Sequence, residues 1–169
     1  MKKGLFNNRV WLMAFILTLV LALVACSNPK TTRVGNDRYG YFTVPEDWIE
    51  QNDSSNSVES IQYIDPDRQI AITCIVYTTV DLTEALTNIH AFMDTKELDD
   101  ILEEVITLDG GNITSVYKIY FHYPELETYI ATYLFDGPDG VTRYLSAESK
   151  NDSIAQGIDI IEKTYSLTK

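Results

Sequence analysis

Histidine and cysteine are nearly absent from this chain, with two of each in 169 residues. His90 and His122 stand at no metal-ligand spacing from each other or from a cysteine. A zinc site needs three or four converging His, Cys or carboxylate ligands, so the pattern offers none. No G-x-S-x-G elbow surrounds any serine, which leaves a hydrolytic triad without support. Bases are scarce too: 13 lysines and arginines face 25 aspartates and glutamates, a formal net charge of −12. Such a surface repels phosphate backbones and anionic headgroups, and no basic stripe offsets it, so nucleic acid is excluded as a partner.

The bases that are present gather at the start. Lys2, Lys3 and Arg9 precede Val10 to Ala25, which is apolar apart from Thr18, the layout of an export signal. The stretch is shorter than the about 20 apolar residues that a membrane-crossing helix needs, which favours cleavage over a retained span. The run that closes it, Leu23-Val24-Ala25-Cys26, resembles the lipobox of bacterial lipoprotein precursors. Leu23 suits a lipobox, whereas an ordinary signal peptidase site wants a small residue there. The resemblance implies recognition of Leu23, Val24 and Ala25 by signal peptidase II and cleavage before Cys26. The Cys26 sulfur would carry a diacylglyceryl group and its freed amine a further acyl chain such as palmitate. Two or three chains, at about 0.8 kcal/mol per buried CH₂, hold a protein on a membrane where one is marginal. The expected location is extracytoplasmic, on the bacterial cell membrane. Cys74 is then the one remaining thiol, so no internal disulfide forms. It lies in the run Ile70 to Thr78 on the side of Ile70, Ile72 and Val76, as a small buried hydrophobe rather than a nucleophile.

Three of the 13 bases and none of the 25 acids lie in residues 1–25, which leaves ten bases against 25 acids, a formal charge of −15. Residues 26–37 are polar, with Pro29 and Gly35, and are expected to act as a lipidated N-terminus and tether. Residues 38–169 have the size of a single globular domain with one core.

Within that domain, Tyr39 to Val44 is rich in β formers and ends at Pro45, with Trp48 as an aromatic anchor after the turn. Gln51 to Ser57 is expected as a polar loop, and Val58 to Ile64 as a strand before the Asp65-Pro66-Asp67 turn. Ile70 to Thr79 is largely apolar on both sides, which predicts a central strand covered on both faces. The period changes to 3.6 at Asp81, a capping residue with Glu84 three positions on. Leu82, Ala85, Leu86, Ile89 and Met93 form the apolar stripe of a first helix. Asp94 to Asp100 is expected as a charged connector, followed by a strand over Val105 to Leu108 and a hairpin turn at Asp109-Gly110-Gly111-Asn112. Ile113 to Tyr123, Leu126 to Phe135 and Val141 to Glu148 then form an antiparallel meander, since the connections are too short for parallel crossovers. A second helix over Asp152 to Tyr165, capped by Asn151 or Asp152, has Ile154, Ala155, Ile158, Ile161 and Tyr165 as its seam. The expected class is α+β: an α/β/α sandwich with a mainly antiparallel sheet of about seven strands flanked by two helices.

This order resembles the PsbP-like family, whose fold includes a photosystem II accessory protein and a nuclear-import factor that binds Ran. The likeness rests on element order, on Tyr41-Phe42-Thr43-Val44-Pro45-Glu46-Asp47-Trp48 and on Tyr63-Ile64-Asp65-Pro66. It implies no catalytic residues and no cofactor, and it points to a non-enzymatic binding or assembly module.

Two other features bear on ligands. Asp136-Gly137-Pro138-Asp139-Gly140 and the acidic run Asp94, Glu97, Asp99, Asp100, Glu103, Glu104 raise the question of calcium. Neither has the alternating oxygens of a twelve-residue calcium loop, and turn chemistry and a solvated face explain them. Tyr117, Tyr120, Tyr123, Tyr129, Tyr133 and Tyr144 crowd the meander, where they serve either as core or as a platform for sugars or proteins. The expected function is a membrane-tethered, non-enzymatic module that binds an envelope protein. A small-ligand or divalent-cation binder is the alternative, and an exported hydrolase ranks third.

Overall fold

Among the described residues the chain forms nine strands and two α-helices. The structure, a computed structural model, describes residues 30–53 and 60–169. In chain order the elements are β1 (Thr31–Asn36), β2 (Gly40–Pro45), β3 (Ile49–Asp53), β4 (Ser60–Asp65), β5 (Ile70–Tyr77), α1 (Leu82–Asp94), β6 (Asp99–Leu108), β7 (Ile113–Tyr123), β8 (Thr128–Asp136), β9 (Thr142–Ser149) and α2 (Ile154–Thr164). Seven strands form one antiparallel sheet in the order β3-β4-β5-β9-β8-β7-β6, and β1 and β2 form a separate hairpin. The class is α+β, as the pattern predicted. The meander β6 to β9 is antiparallel throughout, joined at Asp109–Gly111 and Pro124–Leu126 by single 3₁₀ turns.

Each helix covers a different face. The first face carries Ile70, Ile72 and Cys74 from β5, Leu145 and Ala147 from β9, and Ala131, Tyr133 and Phe135 from β8. α2 lays Ile154, Ile160 and Ile161 on it, and the hairpin adds Phe42 and Val44. Fully burying side chains of this size stabilises by roughly 1.5–3 kcal/mol each. Tyr165 ends α2 and ties the layers together, with its ring 4.9 Å from Phe42 and 5.8 Å from Phe135. On the second face α1 packs Leu86, Ile89 and Met93 against Ile119, Phe121, Tyr123 and Ile130. Asp81 caps α1, its Oδ1 accepting from the Glu84 backbone N–H at 2.8 Å.

Several expectations need correction. Residues 31–36, expected within the tether, are strand β1, and Tyr39 to Val44 becomes β2 of the hairpin rather than a strand of the main sheet. Arg33 shows why: its guanidinium donates to the Thr164 carbonyl at 2.6 Å and to the Ser166 hydroxyl, closing the C-terminus of α2 with a positive charge. A β-bridge between Tyr41 and Ser166 pins the hairpin to the same place. The polar stretch after Trp48 is not wholly loop, because Ile49–Asp53 pairs with β4 as an edge strand; the rest, 54–57, lies outside the described residues. The connector and the strand over Val105 to Leu108 merge, since β6 already begins at Asp99. α2 starts at Ile154 with Ser153, rather than Asn151 or Asp152, in the cap position, while Asn151 Oδ1 accepts from the Ser153 N–H at 2.8 Å. Ala155 is exposed, and Gly157 takes its place in the buried seam.

Candidate functional site

A seven-stranded sheet is wider than one helix. On the second face α1 lies toward β7 and β8, and the floor formed by β4, β5 and β9 remains open beside it. The result is a groove of about 410 Å³, within the range of small-ligand sites. Register builds its floor. Gln62 pairs with Thr73, Thr73 with Ser146, and Ser146 with Thr132, so four polar side chains from four strands form one row across the sheet. Gln62 donates from Nε2 to Thr73 Oγ1 at 3.0 Å, and Thr132 Oγ1 donates to the Ile119 carbonyl at 3.3 Å. Ser146 is fully buried and donates from Oγ to Glu148 Oε1 at 3.1 Å. Ile75 and Tyr144 pair in the next register row, with Tyr77 beyond them. Ile89 and Phe92 of α1 form the wall. Burial pushes the Tyr144 phenol up, with Ser146 partly opposing this and the nearby Glu148 and Tyr77 adding to it. Tyr77 is likewise raised by burial.

The other notable surface is the β6 edge. It ends the sheet, and almost all of its ten residues are solvent-exposed, with Ile101 at 51 %, Leu102 at 54 % and Val105 at 62 %. Register shifts fall between Asp99 and Leu102 and between Ile106 and Leu108, so the regular ladder runs from Leu102 to Ile106. A second cavity of about 340 Å³ lies behind it, lined by Leu86 and His90 of α1 and by Val105, Tyr117 and Ile119.

Most residues singled out from the sequence are engaged elsewhere. Leu23, Val24, Ala25 and Cys26 lie outside the described residues. Cys74 is completely buried, and burial pushes its thiol far up, so it has no thiolate character. His90 Nε2 sits 3.2 Å from Glu103, and His122 stacks on Tyr129 at 4.4 Å with Asp99 at 3.8 Å; the two histidines face different partners. No group of three or more His, Cys, Asp or Glu suited to a metal occurs among the described residues. In the Asp136 to Gly140 turn, Asp139 is gripped by Arg143 through two hydrogen bonds of 2.8 and 2.7 Å, which hold its carboxyl down at about 2. Asp136 accepts from Thr142 at 2.7 Å, so the turn is closed by its own partners. The acidic run is divided among the end of α1, the connector, which holds Glu97, and β6, where Glu104 pairs with Lys118 at 2.8 Å. The meander tyrosines also divide. Tyr133 and Tyr123 are core, Tyr120 and Tyr129 stack at 6.5 Å on the first face, Tyr117 is exposed, and Tyr144 lines the groove.

Sequence patterning missed the polar row and the serine–lysine spacing Ser115-Val116-Tyr117-Lys118. That spacing can mark a serine nucleophile with a lysine base. Here the Lys118 ammonium is held by Glu104 and Glu162, each at 2.8 Å, which keeps it protonated. No helix among the described residues is long and apolar enough to cross a membrane. No protein-family model matches the chain, and no curated protein sequence matches it.

Proposed function

We propose that this chain is a membrane-anchored extracytoplasmic lipoprotein, a non-enzymatic module of PsbP-like α/β/α sandwich type that binds or assembles a protein partner at the cell envelope. The observation that carries the binding reading is the β6 edge. Unpaired edges with exposed apolar side chains invite another strand, and proteins ordinarily blunt them. Here the edge is irregular at both ends and carries acids, yet Ile101, Leu102 and Val105 are left in solvent on a ten-residue strand. Strand addition supplies main-chain hydrogen bonds, while side chains on alternate faces supply specificity. The edge also carries Asp99, Asp100, Glu103 and Glu104, which disfavour a second copy of this acidic chain and select an extended segment with basic residues. The lipobox-like run ending at Cys26 supports a membrane location for that encounter.

The test is photocrosslinking in the native cell, with a benzophenone side chain at position 105 of the full chain and, as control, at exposed Thr87 on α1. The expected result is one discrete adduct from position 105 whose crosslinked peptide is extended and basic. Adducts no different from those at position 87, or only with another copy of this chain, refute the edge reading. Mass spectrometry of membrane-purified material tests the anchor, and an intact leader or a bare Cys26 thiol refutes it.

A further inference from the structure

We propose that the groove between α1 and the open half of the sheet binds a small organic monocation with an apolar or aromatic body. The site is distinct from the β6 edge and does not depend on it.

Charge comes first. Among the described residues lining the groove, Glu148 is the one charged group, and no described cation pairs with it. Ser146 Oγ fixes Glu148 Oε1 at 3.1 Å, and no described donor reaches Oε2. A carboxylate held in place in a partly desolvated groove with an unused oxygen favours a cationic N–H donor, and charge-assisted bonds of this kind are about twice as strong as neutral ones. The formal net charge of −12 raises the local concentration of cations further.

Shape comes next. From Glu148 the groove follows β9 past Ser146 to Tyr144, a distance of roughly 14 Å at about 3.4 Å per residue. Tyr144 and Tyr77 line the end away from Glu148, and Phe92, packed on Phe121 in the register row of Glu148, walls the near part; these rings suit an apolar body and add cation–π attraction. Between the two ends the half-buried Gln62, whose amide oxygen has no donor among the described residues, can bond a hydroxyl or amide in the ligand.

Other ligand classes fit less well. Glu148 repels an anion. A neutral sugar leaves that carboxylate desolvated without a partner, which costs affinity. A divalent cation wants several oxygen ligands, and the groove supplies one carboxylate.

The experiment uses the full chain in a neutral detergent and calorimetric titration with three probes sharing one body: 4-phenylbutylamine, 4-phenylbutanol and 4-phenylbutyrate. The amine is expected to bind about tenfold more tightly than the alcohol, with no measurable binding of the carboxylate. E148Q should bring amine and alcohol within about twofold of each other and also corrects for partition into micelles. F92A, at a position already 39 % exposed on the helix surface, should weaken the amine and the alcohol together by about fivefold or more. The proposal is overturned if amine and alcohol bind native protein equally, if the carboxylate binds as well as the amine, or if none of the three binds. It is also overturned if folded E148Q keeps the preference for the amine. Should E148Q lose its fold, the probe comparison on native protein and on F92A decides.

Discussion

Gly157 is where α2 comes closest to the sheet, and replacing it with alanine opposes two effects of known size. In an exposed helix the change stabilises by about 1 kcal/mol, because glycine has more backbone freedom to lose. At this position the new Cβ lies 2.9 Å from Ala147 Cβ and 3.2 Å from Ile70 Cγ2, where carbon contacts are ordinarily about 3.5–4.0 Å. Neither neighbour is the far end of a flexible chain. Ala147 is fixed on β9, flanked by β5 and β8, and Ile70 is β-branched and stiff at χ1. α2 must therefore lift, disturbing the contacts of Ile154, Ile160 and Ile161, and overpacking of this kind costs about 1–3 kcal/mol. The expected net result is a loss of up to about 2 kcal/mol in urea unfolding of the full chain, with a thermal midpoint unchanged or lower by a few degrees. In the double variant G157A/A147G the added methyl fills the space of the removed one. The cycle should show a favourable coupling of about 1–2 kcal/mol. A G157A protein more stable than the native one by the about 1 kcal/mol of an exposed helix site would falsify the close approach and the placement of α2.

Acid lability provides a second check. Asp139 is held at about 2 by Arg143, below its ordinary 3.8, so it contributes stability above about pH 4 that is lost as pH falls toward 2. The gap in urea midpoint between native protein and D139N should shrink from pH 5 to pH 2, and a constant gap contradicts the ion pair. Cys74 should resist iodoacetamide in the folded protein and react at a rate set by unfolding; labelling at the rate of an exposed thiol contradicts its burial. Lys118→Met removes the partner of Glu104 and Glu162 and leaves Glu162 with the Tyr133 hydroxyl at 3.0 Å. The expected loss is about 1–3 kcal/mol, at least half recovered in K118M/E162Q, and a change under about 0.5 kcal/mol counts against the network.

What could be read locally was read well. Asp81 and Glu84 mark the start of α1 because a cap is chemistry between residues three apart, and the stripe Leu82 to Met93 is one helix face. The two-sided apolar pattern of β5 reflects an internal strand. The misses depend on distant partners. β1 is a polar segment that becomes a strand only through β2 and through Arg33 reaching Thr164, 131 positions away. β3 is polar because it is an edge, and its pairing with β4 crosses a polar stretch that looks like loop. Ala155 and Gly157 exchange roles because close helix–sheet approach favours the residue without a side chain. The groove was hidden for the same reason. Gln62, Thr73, Thr132 and Ser146 are unremarkable singly, and register alone brings them into one row. One faint signal was available: the side of β5 formed by Ala71, Thr73, Ile75 and Tyr77 is less apolar than the side formed by Ile70, Ile72, Cys74 and Val76.

That asymmetry follows from the width of the sheet. Seven strands at about 4.8 Å spacing span roughly 29 Å, whereas a helix with its side chains is about 10–12 Å across. The first face solves the mismatch with two covers, α2 and the β1–β2 hairpin, and can be apolar across its middle. The second face has α1 alone, which leaves the β4, β5 and β9 floor in contact with water. An unbroken apolar floor there would be an adhesive patch, and the half-buried Gln62 and Glu148 interrupt it, with the buried hydroxyls of Thr73, Ser146 and Thr132 beneath. A floor built only to stay wet could end in any polar residue. This one places a single carboxylate at one end, anchored by a buried serine, and the Tyr144 and Tyr77 rings at the other. Solubility does not require that polarity along the groove. Recognition of an elongated cation does.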